Sequence, residues 1–138
     1  MPKPSDTNTI PESPNIPETH WDIVKGNNYA QVAMVMPNGS LANNTVAFVW
    51  DGEFVRFSTL KARQKYKNLA GDQRVALCIA DPTNPWRYLE IRGNVEITED
   101  TDRSFINSIA KKYMKQDVYP FDQPGDQRIT FTVKPTRI

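Results

Sequence analysis

Two hydroxyl residues followed at short range by a run of cations could hold an anion. Ser58 and Thr59 close an alternating stretch, Phe54-Val-Arg-Phe-Ser, and Lys61, Arg63, Lys65 and Lys67 come directly after them. From Phe54 to Gly71 there are five basic residues and no acidic one, in a chain whose formal net charge is only +1. A strand handing over to a helix would place these cations at a helix start. Unpaired backbone N–H groups and the positive end of the helix dipole favour an anion there. The hydroxyls add donors, and Arg63 can grip a phosphate or carboxylate with two parallel bonds. The stretch therefore reads as a phosphate seat. The competing reading is a basic helix face that is simply solvated. Hydroxyls placed immediately ahead of the cations favour the seat.

The rest of the inventory removes most other chemistries. There is one histidine, His20, and one cysteine, Cys78, so disulfide frameworks, Cys or His metal clusters and histidine triads are disfavoured. Neither a G-x-G-x-x-G nor a P-loop motif is present. Glu96, Glu99, Asp100 and Asp102 bracket an expected helix start, where acids suit the dipole. No residue is assigned a catalytic or metal-binding role. The near-neutral charge disfavours a nucleic-acid partner. No run is long enough to span a membrane, no signal-peptide pattern opens the chain, and the expected location is the cytoplasm.

At 138 residues, 38% of them hydrophobic, the chain suits one globular domain. Residues 1–17 carry five prolines and read as a flexible arm, leaving 18–138 as the domain. A short helix is expected over 17–26. Strands are expected at Tyr29–Met36, at Leu41–Trp50 after the Pro37-Asn38-Gly39-Ser40 turn, and at Phe54–Ser58 after Asp51-Gly52. These three form a meander. A basic helix at about 62–70 is followed by strands at 74–80 and 87–98, with a loop over 81–86 between them. Gly93 marks a bulge or a close backbone approach. Cys78 reads as a small core residue. Phe105, Ile106, Ile109 and Tyr113 form the apolar stripe of a helix over about 100–115, and a last strand runs over 127–133. Six largely antiparallel strands with outlying helices fit a small closed β-barrel in a mainly β (α+β) fold. An anion seat beside three Trp, six Phe and five Tyr suits a phosphorylated, ring-bearing cofactor that brings its own reactivity.

Three segments carry a likeness to a known family: Arg56-Phe-Ser-Thr-Leu-Lys-Ala-Arg-Gln-Lys-Tyr-Lys-Asn-Leu69, Asp81-Pro-Thr-Asn-Pro-Trp-Arg-Tyr-Leu-Glu-Ile-Arg-Gly93, and Lys112-Tyr113 with Tyr119-Pro-Phe121. In that order they resemble the pyridoxamine 5'-phosphate oxidase-like superfamily, within it the small flavin- or deazaflavin-dependent oxidoreductases. The resemblance implies a six-stranded antiparallel split β-barrel of the FMN-binding type, paired as a homodimer with cofactor sites at the subunit interface. It also implies coenzyme F-420 or FMN as cofactor and hydride transfer to or from a small organic substrate. By motif position, Ser58, Thr59, Arg63 and Lys65 would hold the phosphate. Lys61 and Lys67 could meet the polyglutamate tail of F-420. Asn44, Thr45 and Val46 would lie near the ring, and Trp86, Arg87 and Tyr88 would come from the partner or line the open face.

Vitamin B6 oxidation itself is disfavoured, because the family's longer Arg- and His-rich C-terminal segment is replaced by Pro135-Thr-Arg-Ile138. Two alternatives stay open: a carrier of flavin, haem or another ring ligand on the same fold, and a nucleic-acid-binding barrel.

Overall fold

The computed structural model describes residues 14–138. A 3₁₀ turn, Glu18–His20, runs into α1 (Trp21–Lys25), followed by strands β1 (Ala30–Val35), β2 (Leu41–Val46), β3 (Val49–Trp50) and β4 (Val55–Leu60). Helix α2 (Gln64–Gly71), strands β5 (Arg74–Asp81) and β6 (Asn84–Glu99), helix α3 (Ser104–Met114) and strand β7 (Arg128–Arg137) complete the chain. Among the described residues no helix is long and apolar enough to cross a membrane. The expected arm, 1–17, lies mostly outside the described residues, but Ile16 is buried and its carbonyl accepts the indole N–H of Trp21 at 2.9 Å.

All strands belong to one antiparallel sheet in the order β2-β1-β5-β6-β7-β4-β3. Its two edges, β2 and β3, are joined by Ala47 and Phe48 alone, so the sheet must curl until the edges approach. This is a split barrel of seven strands, one more than expected. The extra strand comes from the 41–50 stretch, which breaks in two. Its first part pairs with β1 and its last two residues pair with β4, so the anticipated three-strand meander does not form. Phe48 sits in the break, completely buried. The hairpin before it does form: Gly39 takes a φ of 86° in the β1–β2 turn, a region costly for a residue with a Cβ.

The interior is filled by apolar residues at alternate strand positions. Val55 and Phe57 of β4, Val75, Leu77 and Ile79 of β5, and Leu89, Ile91 and Val95 of β6 are all buried. Cys78 is a correction: it lies on the outer face, opposite Gln31 and Glu90, because Val75, Leu77 and Ile79 bury more apolar area by turning inward. β6 begins at Asn84, inside the expected 81–86 loop. Gly93 meets both expectations, with a register shift beside it and a β7 backbone so close that an added Cβ would lie 2.1 Å from the carbonyl oxygen of Lys134.

Of the four acids before α3, Asp100 and Asp102 serve the helix start, while Glu99 pairs with Lys61. The buried Asp100 carboxylate accepts the backbone N–H groups of Phe105 (3.1 Å) and Ile106 (2.8 Å), and Asp102 accepts that of Ser104 (3.0 Å).

Candidate cofactor site

Strand alternation decides what the hydroxyls can do. Ser58 and Thr59 are neighbours on β4, so their side chains point to opposite faces. Thr59 joins Val55 and Phe57 inside the barrel, where it is buried, and Ser58 faces outward. Ser58 opens onto a cavity of about 300 Å³ bounded by β4, β7, the end of β2, α2 and α3. This is within the range of small-molecule sites. Thr45, Val46 and Lys65 line the same cavity. Four residues from two predicted groups thus meet at one place.

Three further groups complete the lining. Tyr29, Tyr113 and Tyr119 supply aromatic surface, with Tyr29 and Tyr113 stacked at 5.2 Å between ring centroids. Ile106, Ile109, Met114 and Ala47 supply an apolar wall. The stripe on α3 is therefore core and cavity wall at once. Arg128 supplies a second cation, and its guanidinium stands 3.4 Å from the Ser58 hydroxyl. Sequence reasoning missed Arg128. Its one available signal was its place at the start of the alternating Arg128–Val133 run, and its partnership with Ser58 exists only through β4–β7 pairing.

Lys65 is the second residue of α2, which begins without a capping side chain or an acid in its first turn. Burial, with the Arg63 charge beside it, holds the Lys65 ammonium below its ordinary range. Among the described residues, Arg63, Lys65 and Lys67 have no carboxylate within 4 Å. Arg63 is exposed at the helix start and lies outside the cavity lining. Lys61 is turned to Glu99 at 3.5 Å.

The remaining predicted residues lie elsewhere. Asn44 is exposed and does not line the cavity. Arg87 clamps elements of its own chain. It bonds both Asp22 oxygens (2.7 and 2.9 Å), Asp81 (3.0 Å) and the carbonyl of Thr19, tying α1 to the β5–β6 hairpin. Trp86 and Tyr88 project from β6, 90% and 56% exposed. Tyr88 shares the outer sheet face with Cys78.

Three larger concavities differ in character. One, about 490 Å³, lies on the outer face between Ala33, Ala76, Arg74 and Arg92. A second, about 480 Å³, lies between the β1–β2 turn and the end of α2, and a third, about 470 Å³, beside the start of α3. Their arginines are already paired, Arg74 with Asp72, Arg92 with Glu90 and Arg56 with Asp51. None of the three contains a predicted site residue. The smaller cavity unites cations, a hydroxyl and aromatic rings, with no carboxylate among the described residues of its lining. Among the described residues no cluster of His, Cys, Asp or Glu could hold a metal ion.

Fold and cavity together define a split-barrel protein with a cationic, aromatic-walled cavity. The sequence profile of the pyridoxamine 5'-phosphate oxidase family matches residues 16–138, and the chain belongs to that family. Among solved structures it is similar to an F420 reductase, with 36% identity, a TM-score of 0.77, and 88% of this chain and 97% of that one covered. It is similar to a conserved hypothetical protein from Mycobacterium tuberculosis (22% identity, TM-score 0.71, 89% and 82% covered). It also shares the fold of a pyridoxamine 5'-phosphate oxidase-related, FMN-binding protein from Nostoc punctiforme (18% identity, TM-score 0.57, 79% and 72% covered). No curated protein matches the sequence significantly.

Proposed function

We propose that this protein is a cytoplasmic oxidoreductase that binds a phosphorylated flavin-type cofactor in the 300 Å³ cavity and transfers hydride to or from a small organic substrate. The observation that carries this reading is the composition of the cavity: Lys65, Arg128 and Ser58 together with three tyrosines and an aliphatic wall, and no carboxylate among the described residues of its lining. An anionic ring compound fits that set. The 36% identity to an F420 reductase favours coenzyme F-420 over FMN.

A bound cofactor of this kind supplies hydride chemistry at its ring. The chain supplies placement. Ser58 and Lys65 hold the phosphate, with Arg63 adding charge at the helix start. Thr45 and Val46 bring the end of β2 to the ring, where backbone groups can contact it. Ile106, Ile109 and Met114 keep water from that side.

A second copy of the chain belongs on the outer face of β2, β1, β5 and β6. Ala33, Ala76, Cys78 and Ala80 make its centre small, and the exposed Tyr88 stands at one end of the Ala80 row. Such a surface lets two sheets approach closely. Placing Arg at Ala76 should convert a dimer to a monomer in sedimentation experiments.

The first test is a pair of fluorescence titrations of the apo-protein with F-420 and FMN. Selective F-420 binding followed by turnover with reducible conjugated substrates supports the proposal. Binding without turnover would make the protein a carrier, and binding of neither would remove the cofactor reading. Within the site, Lys65→Met should weaken binding about 10- to 100-fold through a lost charge-assisted bond. Arg63→Ala should cost roughly fivefold or less, because its charge is solvent-screened.

A further inference from the structure

The geometry points to Arg128 as an anion-gripping residue of the cavity, held by Asp122 so that its free edge works with Ser58 and Lys65 on the phosphate of the ligand. The inference rests on the cofactor reading above and adds a residue to it that none of the sequence motifs contains.

A guanidinium has five N–H donors in a rigid plane. In Arg128 one edge is fully committed: Nε donates to both Asp122 oxygens (3.1 and 2.9 Å) and the second terminal nitrogen donates to Oδ1 at 2.6 Å. The central carbon of the group lies over the Tyr119 ring, 4.9 Å from its centroid. These contacts fix the plane and leave the other terminal nitrogen directed at Ser58 Oγ, 3.4 Å away. That separation is too long for a strong bond. Ser58 and Arg128 therefore retain hydrogen-bonding capacity in the cavity that Lys65 also lines.

The charge balance agrees. The side chain of Asp122 is 5% exposed and is shared by two arginines, Arg128 and Arg103, so the cluster keeps one positive charge. Its carboxyl is held below the usual carboxylate range, chiefly by its bonds to Arg128. Arg103 reaches it from a left-handed backbone conformation, φ 63°, at the start of α3. That conformation is unfavourable for a residue with a Cβ. Here the second arginine returns a net charge to a buried site whose neighbour Lys65 also lacks an acidic partner within 4 Å among the described residues.

The test compares each phosphorylated ligand with its phosphate-free counterpart: FMN with riboflavin, which differ in the phosphate alone, and F-420 with its ribityl deazaflavin core, which also lacks the glutamyl tail. In the wild type the phosphorylated member should bind at least about tenfold more tightly. Arg128→Met should remove about 10- to 100-fold of that preference and change the affinity for the phosphate-free member less than about twofold. Arg128→Lys keeps the charge, loses the planar fork, and should recover only part of the preference. A wild-type measurement covers the case in which neither variant folds. The Arg128 Nε–Hε NMR signal should shift with FMN or F-420 and stay in place with riboflavin or the deazaflavin core.

Equal wild-type affinity for both members of each pair would overturn the phosphate-seat reading itself. A wild-type preference that falls in Lys65→Met and persists in Arg128→Met, or an Arg128 signal that ignores the phosphate, would overturn this inference alone.

Discussion

The phenol oxygen of Tyr113 accepts the backbone N–H of Phe48 at 3.1 Å, and its own proton lies between the carbonyls of Asn28 (2.8 Å) and Phe48 (3.0 Å). Phe48 is where the chain leaves one edge of the sheet for the other, so its backbone groups have no strand partner there. Tyr113 satisfies them from α3, and Lys112 adds a bond to the same Phe48 carbonyl at 2.8 Å. A helix residue thereby holds the seam of the barrel beside the cavity that its ring lines.

Tyr113→Phe leaves the ring in place and removes these bonds. The Phe48 N–H then has no partner in a buried setting, which costs about 1–2 kcal/mol. Denaturant unfolding should show a lower midpoint at an unchanged slope. A variant as stable as the wild type would mean that water takes over the role of the phenol.

The two residues should give stability opposite pH dependences. Burial pushes the Lys112 ammonium down to about 8, below its unfolded value of 10.5. The folded protein then binds fewer protons than the unfolded chain between those values, so this contribution rises from about pH 8 to 10.5 and is lost as pH falls through 8. Burial pushes the Tyr113 phenol up to about 12, above its unfolded 10.0. Its contribution is complete below pH 10 and is lost as pH rises through 12. Subtracting Lys112→Met and Tyr113→Phe unfolding curves from wild type over pH 7–11.5 should isolate the rise and the fall.

Arg87 should matter for the fold and not for the ligand. Arg87→Ala should lower the thermal midpoint by releasing α1 from the hairpin, while cofactor affinity in the monomer stays near the wild-type value. The Asp22 carboxyl is held low chiefly by its bond to Arg87, and the Asp81 carboxyl by bonds from Thr83 with Arg87 contributing further. Both contributions are present above the unfolded pKa of 3.8 and vanish as pH falls through the lower folded values. The variant should therefore lose less stability than wild type on acidification below about pH 4. An intact midpoint with weakened cofactor binding would restore Arg87 to the site.

Gly93→Ala drives a methyl group into the backbone of Lys134. Strands β6 and β7 would have to separate, and a loss of roughly 3 kcal/mol or more is expected. Equilibrium unfolding reads it directly. A small loss would show that the register shift next to Gly93 can absorb the methyl.

Much of this protein is decided along the chain. The alternation through Val55-Phe57, Val75-Leu77-Ile79 and Leu89-Ile91 marks strands, because a period of two places every second residue on one face. The 105–113 stripe marks a helix by the same argument at a period near four. Asn38-Gly39 marks a hairpin, and the unbroken cations from Arg56 to Lys67 mark where positive charge gathers. These are local properties of backbone geometry and side-chain type. Tertiary structure alone decided which of those charges remain free. Lys61 meets Glu99 and Arg56 meets Asp51, whereas Lys65 meets no carboxylate among the described residues, since each pairing depends on how the strands align: Asp51 opens the β3–β4 turn beside Arg56, and Glu99 stands on the far side of β7 from the end of β4. The same holds for Cys78, whose two possible faces differ only in how much larger neighbours gain by burial. It holds for the 41–50 strand, which breaks because a closing barrel needs its edges joined. Ser58 and Arg128 are seventy residues apart in the chain and meet across one β4–β7 diagonal, so the site exists only once the strands have paired.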